Sequence, residues 1–493
     1  LESDFFSGRI MSNRGKFMAP GTRVGSALAF AALVAACGQK TVISQRAASE
    51  QHTECCAPYD ATVALLSRDK SFADGGARTA IANKDIKPNA MAVSPVDDAI
   101  IVAGSTANTS GRAFTFPPVE TSQRRDMVVA RYKSDGQVDS SFATNGMVEI
   151  KVRVHDTGVD TDVDSRAYQV AALPDGGVVV AGTYGNTSTS GNGPGNYAGI
   201  VVARLGADGR LVSTFGTGGM TQISCAGGGA YPAGAIISNN NILVGGTCAD
   251  SSGAPRIVLH SINATSGVAA NPVMGAAGTG AYAMLSTPGK IYVAGYKVVS
   301  TAGAAVKNAA IVRFNLDGTL DSAFGSGGLV TKSFGNGDSL VTALSQSLDG
   351  RVAAVVSSSL ESRLQVSVWA VSGSSATAND CSADAQHSEN FVPYAALRVA
   401  GDQLIVGGPV EANESGVAVT SFTLGANSTD CSSAVQWKTA AGNRGFQIFS
   451  ADGQYDFVRA FGLTADNKIL VAGPSYQKSS SDRAISLARF TVK

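Results

Sequence analysis

The feature that most constrains this chain is a repeated unit, seen most clearly in Asn308–Val330 (NAAIVRFNLDGTLDSAFGSGGLV). Its apolar run predicts a β-strand, and the following Asp-Gly pair predicts a tight turn, because both residues tolerate positive φ. A lone Phe among small residues predicts a plug beneath a loop that the glycines allow to bend sharply. Similar segments begin at Val129 and Val202.

A second half-unit precedes each copy, with an apolar strand, a turn and a strand that ends in Gly. The strand-ending glycines are Gly104, Gly182, Gly246, Gly295, Gly408 and Gly473, and a degenerate copy at Leu348–Val356 falls between the fourth and fifth. Units of about 61 residues, each with about four strands, predict an all-β β-propeller with one four-stranded sheet per blade.

The two ends of the chain each supply part of one more unit. Asp69–Gly76 matches the second half of the repeat, and Ala484–Lys493 matches the strand that comes before it. We therefore predict that the last blade combines N-terminal and C-terminal strands, which would pair edges that are otherwise open. With six complete units, this gives seven blades.

These motifs resemble the delta-60 repeat, a bacterial family. The resemblance covers the chain from about Ala61 to the C-terminus and is closest in the first, second, fourth and last units. It implies a propeller fold. Because the family has no established common activity, it implies no particular function.

The first 60 residues differ from the repeats. Residues 1–36 carry three basic residues and the apolar run Val24–Val34, a pattern typical of a signal peptide. Val34-Ala35-Ala36-Cys37 resembles a bacterial lipobox, which predicts a lipid on Cys37, a flexible tether over residues 37–60 and a propeller over residues 61–493. Gly38 resembles the outer-membrane sorting pattern, with a periplasmic or surface-exposed location. The alternative is an ordinary secretory signal with Cys37 incidental.

Composition excludes some functions. The formal net charge is zero, so nucleic-acid binding is not expected. Six Cys besides Cys37 in an exported chain predict disulfides. Cys225 and Cys248 flank neighbouring strands and form the favoured pair, and Cys381 and Cys431 lie at matching places in adjacent units. Cys55 and Cys56 remain, and the sequence alone does not fix the connectivity.

No catalytic motif is present. The four His lie far apart, and neither a G-x-S-x-G elbow nor a P-loop occurs. The sequence therefore favours a binding or scaffold module at the cell envelope, with a protein or glycan partner and no cofactor. The alternatives are a secreted glycan hydrolase or lyase with carboxylates around the central channel, and a purely structural protein.

Two sets of charged residues need interpretation. Asp160, Asp162 and Asp164 alternate and could offer oxygens to Ca²⁺. Alternatively, Asp164 is a repeated residue at the start of a strand, like Asp338 and Asp456. A recurring Arg in the third strand could form an anion-binding ring or could pair with a repeat Asp. These arginines are Arg131, Arg204, Arg313 and Arg489.

Three inserts interrupt the repeat at equivalent strand connections, which predicts that they emerge on one face. They are Ser105–Arg125, Thr183–Ala198 and Tyr296–Lys307. Loops on a rigid scaffold often carry binding sites. The first insert is unusually apolar and either binds a partner or folds over the adjacent blade. Its candidate contact residues are Arg112, Phe114, Phe116, Arg124 and Arg125.

Overall fold

The computed structural model describes residues 66–492 with gaps at 74–76, 80–83, 109–123, 157, 186–196, 302–303, 335–336, 347–351, 361–362, 372–384, 387–389, 392–394, 400–402, 412–415, 425–434, 439–458 and 477–482. In that part of the chain the regular elements are strands, and no helix there is long and apolar enough to cross a membrane.

The first half of the chain forms four sheets after two short strands, β1 (Leu66–Arg68) and β2 (Ala77–Thr79). The first blade contains β3 (Lys84–Val93), β4 (Ile100–Asn108), β5 (Asp126–Tyr132) and β6 (Met147–Ile150). The second contains β7 (Val152–Asp156), β8 (Val159–Ala172), β9 (Val178–Gly185), β10 (Gly199–Leu205) and β11 (Met220–Ser224). The third contains β12 (Tyr231–Ser238), β13 (Asn241–Ala249), β14 (Pro255–Asn263) and β15 (Val273–Ala277). The fourth contains β16 (Thr279–Ser286), β17 (Lys290–Thr301), β18 (Ala304–Asn315) and β19 (Leu329–Lys332).

The second half of the chain forms three further sheets. One contains β20 (Ser339–Gln346), β21 (Val352–Leu360), β22 (Arg363–Val371) and β23 (Ala385–Gln386). The next contains β24 (Asn390–Phe391), β25 (Ala395–Val399), β26 (Gln403–Glu411), β27 (Gly416–Leu424) and β28 (Val435–Lys438). The closing blade contains β29 (Ala460–Leu463), β30 (Ile469–Tyr476) and β31 (Arg483–Val492), joined by β1 and β2.

We call β3, β8, β12, β16, β20, β25 and β29 the first strands of their blades, and β7 and β24 are additional strands. Each sheet places its first strand next to the first strand of the following sheet. The contacts run from β3 through β8, β12, β16, β20 and β25 to β29, and β29 contacts β3 again. The first strands are therefore the innermost ones. In five blades the structure describes side chains at all four strand positions, whereas in the β20–β23 and β24–β28 sheets it describes side chains in part or not at all. The prediction of four-stranded propeller blades is confirmed, but the described residues show five complete blades rather than the predicted seven.

The apolar core is divided among the seams between neighbouring sheets. In β9, Val178 and Val180 pack into the seam with the first blade, while Val179 and Ala181 pack into the seam with the third. A strand that is buried on both faces needs apolar residues at successive positions rather than alternate ones. This requirement explains the continuous apolar runs in the repeat.

The closing blade joins the two ends of the described chain. β1 pairs with the C-terminal part of β31, and β2 pairs with its N-terminal part. Between them, Phe72 is fully buried, as are Phe142, Phe215 and Phe324 at the corresponding places in other blades. The predicted joining of N-terminal and C-terminal strands and the predicted Phe plug are both present.

The described ends of the inserts lie where the first strands begin, and we call this end of the ring the insert end. There β4 pairs with the start of β3, and β9 pairs with the start of β8. The interiors of the first two inserts fall outside the described residues. The third, Tyr296–Lys307, was expected to be a loop, but β17 and β18 pair continuously up to Thr301 and Ala304. It is instead a long hairpin, because β-branched and apolar residues extend both strands.

Candidate functional site

A β-bulge recurs at the same place in five first strands. The strand register skips one residue in β3, β8, β12, β16 and β20, so that one residue per strand has no partner on the second strand. A bulge bends its strand and changes the direction of a side chain. The five bulge residues are Asn89, Tyr168, Ala233, Tyr282 and Thr342.

The strand-ending glycines make room for these bulges. Gly104 pairs with Pro88, the residue just before the first bulge. A Cβ on Gly104 would lie 2.7 Å from the Lys87 carbonyl carbon and 2.7 Å from the Pro88 Cα, and closer still to the Lys87 oxygen. Gly182, Gly246 and Gly295 approach the facing backbone in the same way. The repeated Gly therefore serves the bulge rather than a turn.

Four tyrosines form a continuous row at the bulges and just to their insert side, and we call this set the tyrosine row. Tyr168 lies 4.9 Å from Tyr231 between ring centroids, Tyr231 lies 6.2 Å from Tyr282, and Tyr282 lies 5.8 Å from Tyr296. All four rings are half-buried. Tyr231 reaches its neighbours because the bulge residue on its own strand, Ala233, is small.

One end of the tyrosine row holds an Arg–Asp ion pair. Arg166 on β8 donates to Asp164 at 3.2 Å and lies over the Tyr197 ring at 5.8 Å. Burial opposes the charge on Arg166, but Tyr197 and Asp164 outweigh this effect and raise its pKa. Burial, together with Tyr168, raises the pKa of Tyr197, which is therefore neutral at pH 7. This end thus holds an Arg–Asp ion pair beside uncharged hydroxyl groups.

The other end of the row also holds an ion pair. Lys307 on β18 places its Nζ 5.0 Å from the centroid of the Tyr296 ring and 3.9 Å from Asp338. Burial raises the pKa of Tyr296. The row therefore lies between Arg166 and Lys307.

The three aspartates suggested for Ca²⁺ each lie beside a cationic group or a His. Asp160 contacts His155 at 2.8 Å, Asp162 contacts Arg153 at 2.9 Å, and Asp164 contacts Arg166. Among the described residues, no group of three or more His, Cys, Asp or Glu is arranged to hold a metal. A calcium site here stays a prediction.

The alternative interpretation of Asp164 has direct support. Asp164 accepts the backbone N–H of Arg125 at 2.7 Å, and Asp338 accepts that of Lys307 at 2.9 Å. In both cases a residue near the start of one first strand binds the third strand of the preceding blade. Both aspartates therefore stabilise seams at the insert end.

Two arginines at the C-terminal end of the first insert form ion pairs within the propeller. Arg125 is buried and pairs with Asp85 at 2.5 Å. Arg124 is partly exposed and contacts Asp162 at 3.2 Å and Asp126 at 3.5 Å. Arg112, Phe114 and Phe116 lie outside the described residues, so partner binding by this insert stays a prediction.

The recurring Arg pairs with Asp in each of its four copies. Arg131, Arg313 and Arg489 contact the repeat residues Asp139, Asp321 and Asp69 at 3.5, 2.8 and 2.8 Å. Arg204 has Val212 at the corresponding place and contacts Asp175 at 2.7 Å instead. The pairing interpretation is supported over that of an anion-binding ring.

The favoured disulfide is present, because Cys225 and Cys248 are bonded and both are buried. Cys37, Cys55, Cys56, Cys381 and Cys431 lie outside the described residues. Buried His260 lies beside this bond, 3.9 Å from the Cys248 Sγ, and burial lowers its pKa to about 4.

A catalytic carboxyl group would be expected on an inner strand with a raised pKa. Among the described carboxyl groups, the pKa of Asp126 is raised by burial. Asp126 begins β5, the third strand of its blade, and does not itself lie on an inner strand. Beyond their bulges, β3, β8, β12, β16 and β20 carry no Asp or Glu.

Sequence reasoning missed the tyrosine row. The bulge position holds Asn, Tyr, Ala, Tyr and Thr in the five blades, so no single residue type repeats in all of them. The available signal was indirect: a strand-ending Gly marks the bulge, and a large aromatic residue on the facing strand is unusual among the small apolar residues there.

A family model supports the propeller fold. Residues 120–142 and 289–324 match the sequence model of a family described as "Domain of unknown function (DUF5122) beta-propeller". No curated protein matches the chain in sequence.

Similar solved structures share little sequence with this chain. A protein of unknown function from Dyadobacter fermentans is 11% identical over 87% of this chain and 97% of its own, with a TM-score of 0.39. Drosophila Semaphorin 1a is 7% identical over 84% and 88%, with a TM-score of 0.44. The polysaccharide lyase Uly1 is 12% identical over 82% and 90%, with a TM-score of 0.43. Such identities carry no information on activity. The chain is a β-propeller protein built from four-stranded blades.

Proposed function

We propose that this protein is an exported binding propeller, held at the outer membrane by a lipid on Cys37, that engages an envelope partner at its insert end. The observation that carries the proposal is the tyrosine row. Half-buried tyrosines from three successive blades form one row, and two of them, Tyr168 and Tyr282, lie at bulges of inner strands. Tyrosine combines a large apolar ring with a hydroxyl group and is common in binding sites.

The proposal includes a closed ring of seven blades and a relationship to the delta-60 repeat. Seven sheets among the described residues, with first strands in continuous contact around the ring, support the number of blades. A rigid ring suits binding because its inner strands hold the side chains in place before a ligand arrives, which reduces the entropy lost on binding.

An enzyme, such as a glycan hydrolase or lyase, remains the alternative function. It would need paired carboxyl groups or another acid–base set near the axis. The raised pKa of Asp126 supports this alternative. Burial raises that pKa, and the neighbouring charge of Glu149 raises it further. Their place on β5 and β6 favours binding at the inner strands over catalysis there.

The test of the binding function is capture from native envelope by the full chain in detergent. The variant Tyr231→Ala with Tyr282→Ala removes the centre of the row, and we expect it to lose the partner. The matched control, Tyr292→Phe, changes a buried tyrosine that packs on Phe324 outside the row. Equal capture by all three proteins would contradict a role for the row.

Localisation and anchoring need a separate measurement. We expect the expressed chain to fractionate with outer membranes and Cys37→Ser to be released in soluble form. The same distribution for both proteins would contradict lipid attachment at Cys37.

A further inference from the structure

A buried histidine, His260, lies in the seam between the second and third blades. We propose that this seam is a joint that opens in acid, because protonation of His260 favours an open form in which the imidazole reaches water. The joint would operate whether or not the tyrosine row binds a partner.

His260 lies inside the seam rather than at the surface. On β14 it alternates with Val258 and Ile262, which belong to the apolar core shared with the second blade, so the three side chains lie on one face of the strand. His260 is 1% exposed. Cys248 belongs to the same core, and its Sγ lies 3.9 Å from the His260 Nε2. The imidazole is therefore on the face of β14 that packs on the second blade.

The closed seam has no good acceptor for a protonated imidazole. A neutral imidazole has one N–H donor, whereas the protonated form has two donors and a positive charge. The Nδ1 of His260 is buried and has no hydrogen-bond partner among the described residues. The Nε2 faces a disulfide sulfur, which carries no proton and is a weak acceptor. Burying a charge without such partners is costly, so protonation favours an opened seam.

The strands around the seam lack a free carboxylate that could stabilise the charge. Residues 178–277, which include β9 to β15, contain two acidic residues, Asp208 and Asp250. Asp208 is 60% exposed in its turn, and Asp250 pairs with Arg256 at 2.7 Å. Neither carboxylate is therefore available to pair with His260.

Two further acidic residues of the second blade, Asp164 and Asp175, are also paired. Asp164 contacts Arg166 at 3.2 Å, and Asp175 contacts Arg204 at 2.7 Å. Arg204 also donates to the Ala264 carbonyl of the third blade at 2.7 Å, so this cation is held at the same seam. The phenols at the seam are Tyr168, Tyr197 and Tyr231.

The pH range of the opening follows from the burial of His260. Burial lowers the pKa of His260 from 6.5 to about 4. Because the closed form binds the proton more weakly than an opened or unfolded one, the seam is unaffected by His260 above about pH 6.5 and is destabilised as the pH falls towards 4. Tyr168 contacts Tyr231 across the same seam, so its opening would also interrupt the tyrosine row.

Hydrogen exchange followed by mass spectrometry tests the joint in the full chain in detergent, with its disulfide intact. We expect peptides from β12, β13 and β14 to exchange more than about tenfold faster at pH 5 than at pH 7.5, after correction for the intrinsic effect of pH. Peptides from β17 and β18 in the fourth blade are the internal control, and their corrected rates should change little.

His260→Phe keeps a ring in the core but cannot take up a proton, so the faster exchange in acid should disappear. His155→Phe is the matched control, because His155 is exposed on β7, where it contacts Asp160 at 2.8 Å, and it should keep the response of the wild type. If His260→Phe does not fold at pH 7.5, His260→Gln provides a second side chain that does not titrate in this range.

Two outcomes would overturn the inference. The same acid response in the wild type and in the His260 variant would show that this imidazole does not control the seam. An equal response in the third and fourth blades of the wild type would show that acid loosens the whole ring rather than one joint.

Discussion

At the scale of single residues, the glycine that ends the second strand has the most specific role. Its missing Cβ lets the facing strand approach closely beside the bulge in four blades, whereas Val356 holds the corresponding place opposite the bulge of β20. The glycine therefore repeats in most of these blades, whereas the bulge residue varies among Asn, Tyr, Ala and Thr. This division lets a repeated scaffold present several chemical groups at equivalent places.

We expect Gly104→Ala to destabilise the protein by about 2–3 kcal/mol, because the new methyl group would overlap the backbone of Lys87 and Pro88. Denaturant unfolding, followed by far-UV circular dichroism, measures the change. Gly289→Ala is the control, since a Cβ there meets no atom within 4 Å, and it should change stability by less than about 0.5 kcal/mol. Similar losses in both variants would refute the account of the glycine.

At the scale of elements, the Asp-Gly turns of the first two blades each dock on the Phe loop of the preceding blade. The Ala143 N–H donates to the Asp208 carbonyl at 2.8 Å, and Arg131 Nη1 donates to the Ala207 carbonyl at 3.0 Å. A Cβ on Gly209 would lie 2.8 Å from the Ala143 nitrogen, so the turn must have Gly there. The seam between the closing blade and the first blade has the same arrangement, because the Ala73 N–H donates to the Asp135 carbonyl.

Arg131→Leu tests this seam. It removes the bond to the next blade and leaves Asp139 buried beside an apolar side chain, so we expect a loss of about 3 kcal/mol. Arg210→Leu is the control, because Arg210 and Asp208 are 86% and 60% exposed and their 3.7 Å contact should contribute less than about 1 kcal/mol. A loss in Arg131→Leu no larger than in the control would show that the seam does not depend on this arginine.

The elements also show what the sequence could and could not predict. Strands, Phe plugs, Arg–Asp pairs and the joining of the two ends follow from letters that recur in several units. The hairpin of β17 and β18 was mistaken for a loop because it extends beyond the repeat, where no second copy exists for comparison. The tyrosine row depends on contacts between residues of different strands, Tyr168, Tyr231 and Tyr282, and pairing across a seam leaves no spacing pattern within one strand.

At the scale of the whole molecule, the closing blade reproduces the contacts of the others although its strands come from both ends of the chain. Arg489 pairs with Asp69, lies over Phe72 at 4.6 Å, and donates to the Ser134 carbonyl of the first blade at 3.0 Å. The Ala73 N–H donates to the Asp135 carbonyl at 2.9 Å. The ring therefore closes through the same interactions that join its other blades, and no special closing element is required.

This closure should weaken in acid. A hydrogen bond from Ser71 lowers the pKa of Asp69 from 3.8 to about 2 against the opposing effect of burial, and Arg489 lowers it further. Because the folded carboxyl group binds its proton more weakly than the unfolded one, its stabilisation is complete above about pH 4 and is lost as the pH falls from 3.8 towards 2.

Asp69→Asn lacks the ionised pair at every pH, so we expect it to melt below the wild type at pH 6 and the difference to shrink between pH 4 and pH 2. Thermal unfolding of both proteins across this range measures the effect, with Arg489→Leu as a second variant whose gap should close in the same window. A gap that stays constant down to pH 2 would show that the ionised Asp69 does not contribute to holding the two ends of the chain together.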